Sequence, residues 1–152
     1  VRAVIQRVRE ASVRWESGEA AINAGLVVLL GVADGDREAD ADQLATKIVK
    51  LRIFSDEARK FNLSAGEVEA QFLVVPQFTL FAEVKGQNRP SFLRAARPEL
   101  GRPLSDRFTE RLRQSGAQVR AGAFGAHMQL HLVNDGPVTL VLSTDPWETR
   151  IG

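Results

Sequence analysis

Leu26-Val27-Val28-Leu29-Leu30-Gly31-Val32 is the stretch on which the fold turns. It is apolar on both faces of an extended chain, the pattern of a strand covered on each side rather than one facing water. Ala24-Gly25 introduces the run and Asp34-Gly35-Asp36 breaks it. A second such run, Phe72-Leu73-Val74-Val75, ends at Pro76, which has no N–H to give to a central ladder. Upstream, Val4-Ile5-Gln6-Arg7-Val8 and Ala11-Ser12-Val13 mix β-branched with polar residues and read as a strand, followed by a turn signal over Trp15–Glu19. Between the two apolar runs, Ala41, Leu44, Ile48 and Leu51 recur at spacings of three and four, with acids in front and Lys47 and Lys50 behind. That is an amphipathic helix whose charges suit its dipole.

The rest of the chain fills in around these elements. Ile53-Phe54 and Phe61-Asn62-Leu63 read as short strands about a polar loop, and Glu83–Arg89 as a loop. A second helix is expected from near Pro103, proline being tolerated in a first turn, to Gly116, burying Leu104, Phe108 and Leu112. His127–Val133 and Val138–Leu142 alternate apolar with polar residues, giving two closing strands joined by Asn134-Asp135-Gly136-Pro137. The expectation is one α+β domain over residues 1–152, with two main helices and a mostly antiparallel sheet.

Composition narrows the function. A chain of 152 residues fits one domain, and a domain of that size buries roughly 70% of the surface its unfolded form exposes. The absence of Cys removes disulfides, thiol nucleophiles, zinc ribbons and iron–sulfur clusters together. Twenty Lys and Arg against 19 Asp and Glu leave a net charge of +1, too little for a sequence-independent grip on long nucleic acid. Leu26–Ala33 is far too short to span a bilayer, so no membrane partner is expected and a cytoplasmic location is.

No Walker loop, dinucleotide fingerprint, His-Glu-x-x-His or Gly-x-Ser-x-Gly elbow occurs. His127 and His131 share a face of the expected strand, but no third ligand converges on them and no metal is expected. Pro76-Gln77-Phe78-Thr79-Leu80 is more unusual. Beyond a strand-ending proline, backbone N–H groups at Gln77, Phe78 and Thr79 are released from a ladder and suit an oxyanion, with Thr79 as nucleophile or hydrogen-bond partner. The plainer alternative makes Phe78 and Leu80 core residues and Thr79 a strand filler. Gly136-Pro137 is either an ordinary turn or a cis bond, found at about 5% of X-Pro positions. Arg89-Pro90-Ser91-Phe92 is either a basic lid or a helix start.

Together these segments resemble the D-aminoacyl-tRNA deacylase (D-tyrosyl-tRNA deacylase) family over nearly the whole chain. The carrying residues are Ile5-Gln6-Arg7-Val8, Leu30-Gly31-Val32, Arg52-Ile53-Phe54-Ser55-Asp56, Gln77-Phe78-Thr79-Leu80, Arg89-Pro90-Ser91-Phe92 and Asn134-Asp135-Gly136-Pro137-Val138-Thr139. Three positions depart from the family. Pro76 replaces a usual Ser, removing any role for that hydroxyl; Arg59 replaces a usual Gly, which leaves that turn's geometry open; Leu140 replaces a common Phe.

The resemblance implies a barrel-like core and a homodimer with two active sites at the subunit interface, without cofactors. Each would combine Gln77, Phe78 and Thr79 of one subunit with Gly136-Pro137 of the other, the Gly-Pro bond being cis and Arg7 steadying it. Ser91, Phe92, Phe124 and Met128 are further candidates for the substrate pocket, with Gly122, Phe124 and Met128 beside the terminal adenosine and Arg89 toward the acceptor stem. The implied reaction hydrolyses the ester joining a D-amino acid, or glycine mischarged on tRNA-Ala, to the 3′ end of tRNA. L-substrates would be rejected by the Gly-Pro filter. Either Thr79 attacks, or the substrate's own 2′-hydroxyl assists while the turn holds the oxyanion. The alternatives are a non-enzymatic RNA-end or small-metabolite binding protein on the same scaffold, and a general esterase.

Overall fold

A computed structural model describes all 152 residues. The chain runs β1 (Arg2–Trp15), β2 (Gly18–Ile22), β3 (Gly25–Gly31), α1 (Glu38–Lys50), β4 (Phe54–Ser55), β5 (Phe61–Leu63), β6 (Gln71–Pro76), α2 (Pro98–Gln114), β7 (Val119–Ala121) and β8 (Gln129–Ser143). A 3₁₀ turn, Phe78–Phe81, follows β6.

The long strand β1 organises the main sheet. β8 pairs along it antiparallel, from Arg2↔Ser143 to Arg14↔Gln129. β2 and β3 pair with the C-terminal and N-terminal parts of β1. A strand has two edges and β8 occupies one, so β2 and β3 lie end to end along the other. Beyond β3 the pairing turns parallel, first to β6 and then to β7. The result is a mixed six-stranded sheet, nearly closed into a barrel, with α1 and α2 packed on it in a single domain.

The expectation of strands buried on both faces holds at β3 and β6. Leu26, Val28 and Leu30 join Phe72 and Val74 in one core with Leu44, Ile48, Phe108 and Leu112 of the helices. Val27, Leu73 and Val75 face a second core with Val8, Val13 and Ile22, against which Leu29, Met128, Leu130 and Leu132 pack. Successive strand residues point to opposite faces, so a run covered by helices on one side and a curled sheet on the other is apolar throughout.

Several local expectations are corrected. The second helix begins at Pro98 rather than near Pro103, which lies inside it. Pro98 is the proline in the first turn, while Pro103 removes one N–H and interrupts a single ladder bond. The last two expected strands are one, β8, interrupted opposite Arg7: Gln6 pairs Thr139 and Val8 pairs Asn134, so residues 135–138 are extruded as a bulge. His127 precedes β8, so it does not share a strand face with His131. β2 and β7, too short to announce themselves in the sequence, complete the sheet. Arg59 has φ 61°, the left-handed conformation that favours glycine. Its turn is nevertheless closed by Arg59 N–H to Asp56 O and Asp56 N–H to Lys60 O, both 2.9 Å.

Candidate functional site

β6 ends at Pro76 and the chain leaves the sheet at Gln77, whose N–H still reaches Leu30 O of β3 at 2.7 Å. The next three residues do not continue a strand, as the plainer sequence reading held; Phe78–Phe81 form the 3₁₀ turn. Its first internal bond is Leu80 N–H to Gln77 O at 3.3 Å. The N–H groups of Phe78 and Thr79 therefore precede the turn's ladder and have no partner within it. Phe78 is 58% exposed, so it is no core residue. The Gln77 side-chain amide donates to Thr79 Oγ1. An amide in either orientation is no base, and His127 makes no hydrogen bond to Thr79.

Three features set the turn's position. Gly31, the last residue of β3, lies beneath it: a Cβ there would sit 3.0 Å from Phe81 Cε2, 3.1 Å from Gln77 O and 3.2 Å from Leu80 Cβ. Phe92 meets Phe78 edge to face, ring centroids 5.1 Å apart at 76°. The Arg89–Phe92 segment is neither helix start nor free lid, since Ser91 and Glu83 exchange backbone hydrogen bonds of 2.9 Å in both directions. Finally Arg2 donates to Leu80 O at 3.1 Å.

A cavity of ≈ 250 Å³ opens beside the turn. Gln77 and Phe78 form one wall, Gly101 and Ser105 of α2 another, and Phe124, His127 and Met128 a third. Phe124 packs over Gly101, where an added Cβ would lie 3.2 Å from its ring. Arg102 stands over the same ring, 4.9 Å from its centroid. A mostly apolar pocket with polar backbone at one wall suits a flat or small organic group held beside a reacting carbonyl.

The remaining expected residues are elsewhere in the chain. Gly136 and Pro137 are exposed in the β8 bulge and do not line this cavity. Their peptide bond is cis. Arg7 does hold the bulge: Nε donates to Asp135 O at 3.0 Å while Nη1 donates to Ile53 O at 2.8 Å. Asn134 Oδ1 accepts from Val138 N–H at 3.0 Å, closing the bulge from within. One chain thus gathers Gln77, Phe78, Phe124 and Met128 at the cavity, with Thr79, Ser91 and Phe92 on its turn side, and leaves Gly136, Pro137 and Arg7 apart.

Sequence reading missed Gly101, Ser105 and His127 as cavity residues. Gly101 lies on the part of α2 upstream of Pro103, outside the expected helix, while Ser105 lies within the expected helix but off its expected apolar face. It also missed the anchoring of Asp145. Burial favours protonation of that carboxyl, but hydrogen bonds from Ser143 and Arg2, with the charge of Arg2, outweigh it and hold the group below the ordinary aspartate range.

A family model described as D-Tyr-tRNA(Tyr) deacylase matches residues 4–143. A D-aminoacyl-tRNA deacylase of Chloroflexus aurantiacus is 54% identical over 146 residues, 95% of this chain and 91% of that protein. One from Cytophaga hutchinsonii is 52% identical over 144 residues, covering 93% and 96%. Among solved structures, the c-Myc DNA Unwinding Element Binding Protein superposes with TM-score 0.89 at 37% identity, over 96% of this chain and 100% of that one. A probable eukaryotic D-amino acid tRNA deacylase superposes with TM-score 0.80 at 20% identity, over 93% and 97%, a likeness of fold.

Proposed function

The chain belongs to the D-Tyr-tRNA(Tyr) deacylase family, and from that premise we propose that it hydrolyses the ester of D-aminoacyl-tRNA, and of glycine mischarged on tRNA-Ala, releasing the amino acid and the tRNA. The observation that carries the reading is the Gln77-Phe78-Thr79 turn, where the Phe78 and Thr79 N–H groups have no partner within the turn and Phe78 lines an apolar cavity. Such groups stabilise the oxyanion that forms when an ester carbonyl is attacked. No charged residue is needed for that, and an aminoacyl ester is already activated.

The substrate's vicinal 2′-hydroxyl assists the attack. Thr79 has an amide, not a base, as its hydrogen-bond partner, so nothing activates it as a nucleophile. Positioning of an internal hydroxyl supplies on the order of 7–11 kcal/mol when the geometry is close to attack. The cavity walled by Phe124 and Met128 receives the terminal adenosine, and Ser91 and Phe92 support the turn from the outer side.

Selection for D-substrates is by exclusion. Gly136 and Pro137 of a second copy close over the Gln77 turn, binding the α-ammonium and leaving no space for a side chain on the L side. Glycine has no side chain to exclude. Two features support a dimer: β8 has no partner on its outer edge, and Val133 and Val141 on it are 46% and 60% exposed. A DNA-binding role, suggested by the name of one structural relative, meets the +1 charge balance of this chain.

The test is deacylation of D-Tyr-tRNA against L-Tyr-tRNA, with a 2′-deoxy terminal adenosine as a third substrate and Thr79→Ala as a second enzyme. The reading expects D-Tyr-tRNA alone to be cleaved well, Thr79→Ala to keep measurable activity and the deoxy substrate to be poor. Equal cleavage of D and L sinks the filter, and protection of the ester makes the protein a binder. Normal turnover of the deoxy substrate with a dead Thr79→Ala enzyme makes Thr79 the nucleophile.

A further inference from the structure

Arg2 is 2% exposed, which makes it the most deeply buried charged side chain of the protein. Its guanidinium lies over two aromatic rings, 4.3 Å from the Phe81 centroid and 4.8 Å from that of Trp147. Nη1 donates to Leu80 O at 3.1 Å and Nη2 to Asp145 Oδ2 at 3.2 Å. Nε has no partner.

Burying a charge is costly, and well-packed apolar side chains of similar volume commonly do as well or better for stability. What an arginine adds is direction: a planar fork held against aromatic rings aims one N–H at one carbonyl. Here the chosen acceptor belongs to the 3₁₀ turn that carries Gln77 and Thr79. Arg2 is also the ladder partner of Gly31, whose missing side chain admits the same turn. One rung of the β1–β3 ladder therefore supplies both the space in which the turn sits and the donor that holds it.

We propose that Arg2 is a positioning residue for deacylation: clamped by Phe81, Trp147 and Asp145, it fixes the Gln77–Phe81 turn through Leu80 O so that the Phe78 and Thr79 N–H groups face the reacting carbonyl. The catalytic arm of this inference rests on the deacylase reading; the structural arm does not. Arg2 touches no substrate. It acts through the turn, so its loss lowers the rate of the chemical step more than substrate affinity.

The experiment compares wild type with Arg2→Met, which keeps the volume and removes the donors, and Arg2→Lys, which keeps the charge without the fork. Backbone amide exchange by NMR is read at Leu80 and Ala82 of the turn and at Val28 and Val74 of the core. Single-turnover and steady-state hydrolysis of D-Tyr-tRNA are measured alongside. In Arg2→Met, exchange rises in the turn alone, kcat falls about 10–100-fold and KM stays within about threefold. Arg2→Lys falls between. Should Arg2→Met fail to fold, Trp147→Leu removes one ring of the clamp from outside the sheet and is expected to loosen the turn in the same direction. Unchanged exchange in the turn overturns the proposal, as does a loosened turn with full kcat, or an equal rise of exchange across the core. A wild-type enzyme that leaves D-Tyr-tRNA intact defeats the deacylase reading instead, and the amide exchange still decides what Arg2 does.

Discussion

Replacing Gly31 with Ala tests the position of the turn with one methyl group. The added Cβ would lie 3.0 Å from Phe81 Cε2, 3.1 Å from Gln77 O and 3.2 Å from Leu80 Cβ. Carbon–carbon contacts relax at about 3.5–4.0 Å, so Phe81 and Leu80 must retreat by roughly 0.5 Å and Gln77 O by somewhat less. All three belong to the turn or its immediate entry, whereas Gly31 is fixed in a strand paired on both sides. The turn is therefore what moves. Overpacking of this kind costs about 1–3 kcal/mol, and the stiffer unfolded chain returns about 0.4–1. The net is roughly 0–2.5 kcal/mol, a Tm lowered by no more than about 10 °C at this chain length. Catalysis suffers more. A 1 Å misplacement can cost about a hundredfold, so half that displacement is expected to cost about tenfold in kcat. The assay is hydrolysis of D-Tyr-tRNA with enzyme in excess, beside urea unfolding, with Gly66→Ala as the control because its nearest atom is 4.0 Å away. Wild-type kcat in a folded Gly31→Ala enzyme would refute the reasoning, since a turn displaced without consequence is not what positions the oxyanion.

Mixing Phe78→Pro subunits, which lack one of the free N–H groups, with Gly136→Ala subunits tests whether two chains share a site. Each variant alone is expected to be inactive, and after exchange about a quarter of all sites regain both intact motifs; a mixture as dead as its parts rules out sharing. Asp42 binds Arg107 across α1 and α2 through Nε–Oδ1 at 2.9 Å and Nη2–Oδ2 at 2.8 Å. The Arg107 hydrogen bonds, against opposing desolvation and with the charges of Arg107 and Arg111, hold its carboxyl below the ordinary aspartate value. A depressed folded pKa stabilises above the unfolded value of about 3.9 and is lost as pH falls through the folded one. Thermal melts should therefore show Asp42→Asn less stable than wild type at pH 7, with the gap narrowing as the pH falls below about 4; a constant gap contradicts it. Arg59→Gly removes a side chain from a left-handed backbone, relieving about 1–2 kcal/mol less the entropy glycine adds. A gain of up to about 1 kcal/mol in urea unfolding is expected, and a loss would show that the Arg59 side chain supports its turn.

How much of this was legible depended on the range of the signal. The two-faced runs at Leu26–Val32 and Phe72–Val75 report their own burial, so both central strands could be read directly. Pro76 reports the end of a ladder for an equally local reason. The start of α2 could not be fixed, because Pro98 and Pro103 both satisfy the rule for a first turn and Gly101 between them reads as a break. Only the structure shows Gly101 as a close approach of Phe124. β2 and β7 are shorter than the window in which periodicity is visible. Thr79 sits in a stretch whose alternation fits a strand, yet space over Gly31 and a donor from Arg2, both remote in sequence, bend it into a turn. Arg2 itself was unreadable: an arginine near a strand start is ordinary until two rings close over it.

The separation of the two motifs follows from the sheet. Gln77 leaves β6 level with Arg2, because Pro76 pairs Leu30 and Gly31 pairs Arg2. The Gly136-Pro137 bulge stands opposite Arg7, five residues further along β1, about 17 Å at strand rise. From β6 to β8 the path also crosses three strand spacings, about 15 Å. Along the sheet the two lie roughly 20 Å apart. In an aminoacyl ester the α-nitrogen and the reacting carbonyl carbon are about 2.5 Å apart. In this chain the Gly136-Pro137 bulge does not line the cavity beside Gln77 and Phe78, so one copy does not present both motifs to one substrate. If both motifs serve one ester they come from two copies, and the open edge of β8, which carries the bulge, is where a second copy has backbone to meet.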